Sequence, residues 1–309
     1  MNRRSFAKFI ALSAPLTAFS NYSLSSSWKT KTFPSNNQFN LKYAPHLGMF
    51  KHSAGDNPID QLHFMADVGF QAFEDNRMRQ REMKLQNEMA STMEKRGLQM
   101  GVFVAHTISW KKADLTSGNQ ELREKFLKEI TDSIEIAKRI HAKWMTVVPG
   151  HIDPRQNMDY QTSHVIETLK HASEILEPHG LVMVLEPLNF MNHPGLFLTR
   201  IPQAYQICKA VDSPSCKILF DIYHQQIQEG NLIHNIQTSW DEIGYFQIGD
   251  NPGRKEPTTG EINYKNVFQY IHSQNYQGIL GMEHGNASEG IEGEQSVINA
   301  YKFVDNFLS

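Results

Sequence analysis

The chain has 309 residues, 40% of them hydrophobic and 20% charged, with 19 Gly and 13 Pro, a globular composition that excludes a wholly disordered, collagen-like or low-complexity protein. A formal charge of −3 is too weak, and of the wrong sign, for gripping a nucleic-acid backbone, and two cysteines build neither a disulfide framework nor a four-thiolate zinc site. The length accommodates one (β/α) barrel of roughly 250 residues or two ordinary domains.

The chain starts with a basic head, Met1 to Lys8, that includes Arg3 and Arg4, followed by an uncharged apolar run from Phe9 to Phe19 and small residues. Those three parts make a secretory signal, and the Arg3-Arg4-Ser5-Phe6 order resembles the twin-arginine type. The run is too short to span a bilayer, so no stable membrane anchor is expected. A frayed or amphipathic N-terminus is the alternative. Residues 1–20 are read as the signal, with cleavage after Ser20 and a periplasmic destination. Cleavage removes three of the 30 basic residues and no acid, leaving 27 against 33 and a balance of −6. Residues 21–40, rich in Ser, Asn, Thr and Lys, read as a linker, and residues 41–309 as one domain.

From Leu41 onward, apolar β-prone runs alternate with amphipathic stretches. Strands are expected at 43–50, 71–74, 98–105, 143–148, 181–186, 216–221, 243–248 and 278–283. Helices are expected at 58–68, 81–96, 120–141, 160–178, 201–211, 226–238, 264–273 and 294–308. In the third helix Leu122, Phe126, Ile130, Ile134, Ala137 and Ile140 form one stripe. The strands are apolar on both faces, as when helices cover both sides of a parallel sheet. Eight such units predict a single (β/α)8 TIM barrel. The competing doubly wound sheet lacks its G-x-G-x-x-G turn after the first strand.

Polar residues close the last four strands: Glu186, Asp221, Gln247 and Glu283. Their spacings of 35, 26 and 36 residues each fit one strand-helix unit, so a barrel gathers them at its C-terminal mouth. Three carboxylates there repel one another and lose solvation. One divalent cation removes both problems, and an all-oxygen set suits Mg²⁺ or Mn²⁺. Alternatively, each caps the following helix or pairs with a base.

The segments LEPLN (185–189), FDIYHQQIQEGNL (220–232), YFQIGDNPGRKEPTTGEINY (245–264) and YQGILGMEHG (276–285) resemble the hydroxypyruvate isomerase family, within the xylose isomerase-like barrels. The resemblance covers most of residues 41–308 and is strongest from Glu186 onward. It implies a divalent-metal isomerase or epimerase in which Glu186, Asp221, Gln247 and Glu283 hold the ion. It makes Glu186 and Glu283 the acid/base pair across an enediolate, interconverting α-hydroxy aldehydes and ketones. It also places His224 against substrate oxygens or the ion's outer shell.

Arg254 and Glu256, on the loop after the seventh strand, can grip a carboxylate or hydroxyl and steer it, or else stand as solvated charges. Glu74, His106 and His151 follow the second, third and fourth strands. His106 and His151 are kept as candidate substrate binders, with a structural role as the alternative, and Trp110 is a candidate apolar wall. Cys208 and Cys216 read as separate buried thiols, with a bridge as the alternative.

The expected partner is a small sugar or hydroxy-keto acid, with no nucleic acid; a homo-oligomer stays open. Export favours an extracytoplasmic substrate. A metal-dependent dehydratase or lyase of a polyol or keto acid, and a non-catalytic exported sugar-binding barrel, are the competing functions. An endonuclease-IV-like repair enzyme is a third, disfavoured because strands five to eight end in no histidine.

Overall fold

The computed structural model describes residues 39–308. The segment read as an export signal (1–20) and most of the linker (21–38) lie outside the described residues. Phe39 and Asn40 already pack on the barrel: Phe39 stacks on Phe70, and the Asn40 backbone N–H donates to Asp305 at 2.6 Å.

Eight short strands follow: β1 (Lys42–Ala44), β2 (Ala72–Phe73), β3 (Gln99–Met100), β4 (Trp144–Val147), β5 (Val182–Leu185), β6 (Cys216–Asp221), β7 (Ile243–Gln247) and β8 (Ile279–Gly281). Six pair in parallel in the order β1-β8-β7-β6-β5-β4, and β2 pairs with β3. Parallel bridges His46↔Glu74 and Val104↔Thr146 join the two sets and close the ring. The expected (β/α)8 barrel is the observed fold. β1 is shorter than the 43–50 expected because Pro45, which has no N–H to offer the ladder, follows Ala44 at once.

Helices cover the outside: α1 (Lys51–Ala54), α2 (Pro58–Asp67), α3 (Met83–Arg96), α4 (Gln120–Ile140), α5 (Met158–Leu176), α6 (Ile201–Val211), α7 (Ile222–Gln228), α8 (Leu232–Ser239), α9 (Tyr264–Ser273) and α10 (Gly290–Asp305). α4 buries Phe126, Ile130, Ile134, Ala137 and Ile140 as its stripe requires, and the Asn119 side chain caps it by accepting from Leu122 N. The single helix expected at 226–238 is two. α7 begins directly after Asp221, whose carboxylate accepts from the N–H groups of Tyr223 and His224, and left-handed Gly230 (φ 63°) and Asn231 (φ 46°) separate it from α8. No helix among the described residues is long and apolar enough to cross a membrane.

Alternation along the strands decides what points inward. Ala44, Ala72, Val102, Val182, Val184, Leu219, Tyr245 and Ile279 form one buried cluster inside the barrel, while Tyr43, Phe73, Met183, Phe220, Phe246 and Leu280 pack outward under the helices. Side chains two residues apart share a face. Val184 therefore predicts the direction of Glu186, Leu219 that of Asp221 and Tyr245 that of Gln247. Ile279, through Gly281, does the same for Glu283, as Ala72 does for Glu74.

Cys208, on α6, and Cys216, opening β6, are both free and buried. A hydrogen bond with the Cys216 thiol, then burial, pushes the Cys208 thiol pKa up, so Cys208 is not a ready nucleophile.

Candidate active site at the C-terminal mouth

The inward-pointing acids meet. Asp221 (1% exposed) and Gln247 (1%) are register partners at the ends of β6 and β7. His224, one turn into α7, brings Nε2 to 3.6 Å from Asp221 Oδ2 and 4.0 Å from Glu186 Oε1. One oxygen each of Glu186 and Asp221 and a ring nitrogen of His224 all lie within 4.8 Å of one another.

Arg254 completes the cluster. Its Nη2 donates to Glu283 Oε2 at 2.7 Å and to Asp221 Oδ2 at 3.2 Å, and its guanidinium lies over the Tyr223 ring. The loop that carries it is built on Asp250, whose buried carboxylate accepts from Asn251, Gly260 and Ile262 N–H groups. Arg254 itself is held in the left-handed region (φ 48°), uncommon for a residue with a side chain. Its own N–H donates to Asp250 O, and its carbonyl accepts from Gly285 N on the loop after β8.

Electrostatics at the mouth follow from burial. Burial, then the Glu283 and Asp221 charges, raise the Glu186 carboxyl well above the usual carboxylate range. Burial also raises Glu283 to about 7, against the lowering effect of Arg254. Burial depresses His224 to about 4, so its ring is neutral at physiological pH. For Arg254 burial works against the charge, but Glu283, Asp221 and Glu186 outweigh it and hold the guanidinium cationic. Like charges compete for one desolvated space, and a cation relieves them.

Unsatisfied atoms mark the same spot. Gln247 Oε1, His224 Nε2, Asn76 Oδ1 and Arg254 Nε are buried without a hydrogen-bond partner. Gln247 reaches that state for a specific reason: its Nε2 donates to Glu74 Oε1 at 2.7 Å, so its carbonyl oxygen is left as a buried acceptor. A buried acceptor beside ionisable carboxylates suits a hard divalent cation.

Glu74 is fully buried and organises the floor, accepting from Gln247 and, at 2.7 Å, from the Tyr245 hydroxyl, with His46 Nε2 at 2.8 Å. A Cβ on Gly281 would fall inside that carboxylate, which is fixed from three sides. Gly281→Ala is therefore expected to cost about 1–3 kcal/mol by overpacking, read as a lower denaturation midpoint at unchanged slope. A midpoint equal to the wild type would contradict this account of the floor.

The remaining candidates are differently placed. His151 lines a cavity of about 370 Å³ at the mouth with Trp110, Asn192, His193, Pro194 and Leu196. There Trp110, half-exposed, stacks on His193. His106 is 3% exposed, packs edge-on against Phe126 and accepts from Val148 N, which joins the ends of two strands; burial depresses it to about 4. Glu256 accepts from Ala287 N at 2.8 Å and so fastens the loop after β7 to the loop after β8. Asn76, which donates to Glu283 Oε1 at 2.8 Å, and Asn189, which contacts His224, escaped the sequence reading. The amides in the strings EDN (74–76) and LEPLN were the available signal.

A family model described as xylose isomerase-like TIM barrel matches residues 62–305. The chain belongs to this barrel family. Within its reach, a putative hydroxypyruvate isomerase from Danio rerio is 30% identical over 267 residues, covering 82% of this chain and 94% of that protein. The hydroxypyruvate isomerase of Escherichia coli K12 is 35% identical over 162 residues, 52% of this chain and 62% of that protein, so the aligned stretch falls short of two thirds of its length. Among solved structures of this barrel type, an AP endonuclease, family 2, from Brucella melitensis superposes with a TM-score of 0.71 at 24% identity, covering 82% of this chain and 96% of that one. At that identity the likeness is one of fold.

Proposed function

We propose that this protein is a divalent-metal-dependent isomerase of small α-hydroxy carbonyl compounds, with hydroxy-keto acids of the hydroxypyruvate type as its substrates. The observation that carries this reading is the meeting of Glu186, Asp221 and Glu283 beside the unsatisfied oxygen of Gln247. The relatives named hydroxypyruvate isomerase support the substrate class.

Glu186, Asp221, Gln247 through Oε1 and Glu283 would hold the ion. Their oxygen-only chemistry favours Mg²⁺ or Mn²⁺. When bound, such an ion polarises a carbonyl and its neighbouring hydroxyl and offsets charge developing on their oxygens. Of the two glutamates, one removes the proton from the carbon bearing the hydroxyl. The other returns a proton to the former carbonyl carbon, while the hydroxyl proton passes to the former carbonyl oxygen, so an enediolate of the substrate links ketone and aldehyde. Return to the same carbon from the opposite face is epimerisation, which the same pair supports. His224 presents a ring nitrogen to the reacting oxygens, and His151 and Trp110 wall the cavity beside them. Glu256 and His106 act at one remove, through the loop and strand ends they fasten.

Arg254 grips the substrate carboxylate, which competes with Asp221 and Glu283 for the same guanidinium. Arg254→Lys is expected to raise KM for hydroxypyruvate about 10–100-fold, the worth of one charged hydrogen bond. Steady-state kinetics read this, and an unchanged KM would contradict the carboxylate contact.

The function is tested by incubating the protein with Mn²⁺ and hydroxypyruvate in D₂O. The proposal requires the 2-hydroxy-3-oxopropanoate isomer with deuterium at the carbon beside the carbonyl. Water loss from a polyol or keto acid, or binding without exchange across a sugar panel, would overturn it.

Export to the periplasm belongs to the same reading and rests on Arg3, Arg4 and the apolar run to Phe19. N-terminal sequencing of the protein expressed in a bacterium with twin-arginine export should begin at Asn21 in the periplasmic fraction. A cytoplasmic chain retaining Met1 would contradict it.

A further inference from the structure

We propose that Asn189 is a positioning residue that sets the tautomer of His224, keeping the ring proton on Nε2, where it faces Glu186 and Asp221. The inference rests on the reading of the mouth as an isomerase site only for its purpose; the tautomer itself follows from hydrogen bonds.

Asn189 is fully buried, three residues beyond Glu186. Its amide has one orientation, because the Asn192 backbone N–H donates to Oδ1 at 2.9 Å and a backbone N–H cannot accept. Nδ2 is thereby turned the other way, donating to Asn192 Oδ1 at 2.9 Å and to His224 Nδ1 at 2.6 Å. The Asn189 backbone N–H donates to the same ring nitrogen at 3.3 Å. Nδ1 therefore meets two groups that can only donate, so it holds a lone pair and the proton of the neutral ring is on Nε2.

That proton is aimed at the space between Asp221 Oδ2 and Glu186 Oε1, and Nε2 has no hydrogen-bond partner. Two consequences follow. His224 is a donor to a substrate oxygen on which charge develops. It is also withheld from the metal, since coordination through Nε2 needs a lone pair there. The group of Glu186, Asp221 and His224 thus divides into two oxygen ligands and one donor. The E-x-x-N spacing matters because it puts the amide behind the ring while the glutamate enters the mouth.

The test uses ¹⁵N-histidine-labelled protein without substrate, the His224 signals being identified by their loss in His224→Gln. In the wild type His224 should show an unprotonated-type Nδ1 and a protonated-type Nε2. Asn189→Asp exchanges a donor for an acceptor at Nδ1 and should move the proton there, as imidazolium or as the other tautomer. kcat should fall about 10²-fold, the usual loss for one such donor. An unprotonated Nε2 in the wild type, or wild-type shifts in a folded Asn189→Asp, would overturn the inference. Absence of isomerase activity in the wild type would defeat the functional reading and leave the nitrogen shifts to decide this one.

Discussion

Glu283→Gln and Glu186→Gln are each expected to lower kcat by about 10²–10⁴-fold, the range for loss of a positioned acid or base, while leaving the metal-free protein as stable as the wild type or more so. The stability half is the unusual half, and it follows from burial. Glu186 is raised well above the carboxylate range and Glu283 to about 7, burial being the first cause of both. The folded state therefore binds these protons more tightly than the unfolded chain does. Such groups contribute stability that is fully present below the unfolded carboxylate pKa and is lost as pH rises through the folded one. Gln resembles the protonated acid and never ionises. The melting temperature of each variant, relative to the wild type in EDTA, should thus climb as pH rises from 5 to 8. Comparison with the wild type removes the opposing contribution of buried histidines. His106 and His224, near 4, and His284, near 3, are depressed by burial and favour the fold at higher pH. A variant less stable than the wild type at pH 8, or with activity intact, would contradict the assignment.

The second large effect concerns the ion. EDTA is expected to abolish turnover and Mn²⁺ to restore it. At an ion concentration one hundred times its dissociation constant, the folded state should gain about 2.7 kcal/mol. That gain should grow with pH across the same window, because the ion binds carboxylates and must displace the protons that burial holds on Glu186 and Glu283. Thermal melts with Mn²⁺ and with EDTA at each pH read the difference directly. A gain independent of pH would mean that the ion binds away from these glutamates.

The strand ends made much of the site legible. Apolar runs that end in Glu186, Asp221, Gln247 and Glu283 put these residues at the C-terminal mouth of a barrel, but runs apolar on both faces do not tell which side faces inward; the inward Val184, Leu219, Tyr245 and Ile279 of the folded barrel decide that. The pattern gives no partner, however, and partners decide the electrostatics. Arg254 lies on Asp221 and Glu283 only because Asp250 folds the long loop after β7, and no local pattern encodes that reach. The Glu74 floor is assembled by barrel closure, through His46 on one neighbouring strand end and Tyr245 and Gln247 across the interior. β2 and β3 are each two residues long, too short for a readable period, so the first third of the barrel was the least legible. The early start of α7 comes from Asp221, which serves at once as a mouth acid and as the cap of that helix, and its division from α8 from left-handed Gly230 and Asn231.

Anomalous diffraction from crystals soaked in Mn²⁺ decides whether four chain-distant oxygens share one cation. A single strong peak per chain is expected, ligated by oxygens of Glu186, Asp221, Gln247 and Glu283 and by no nitrogen of His224. A peak bound elsewhere, or a mouth in which Arg254 keeps both Asp221 and Glu283 while the metal stays out at saturating concentration, would contradict it.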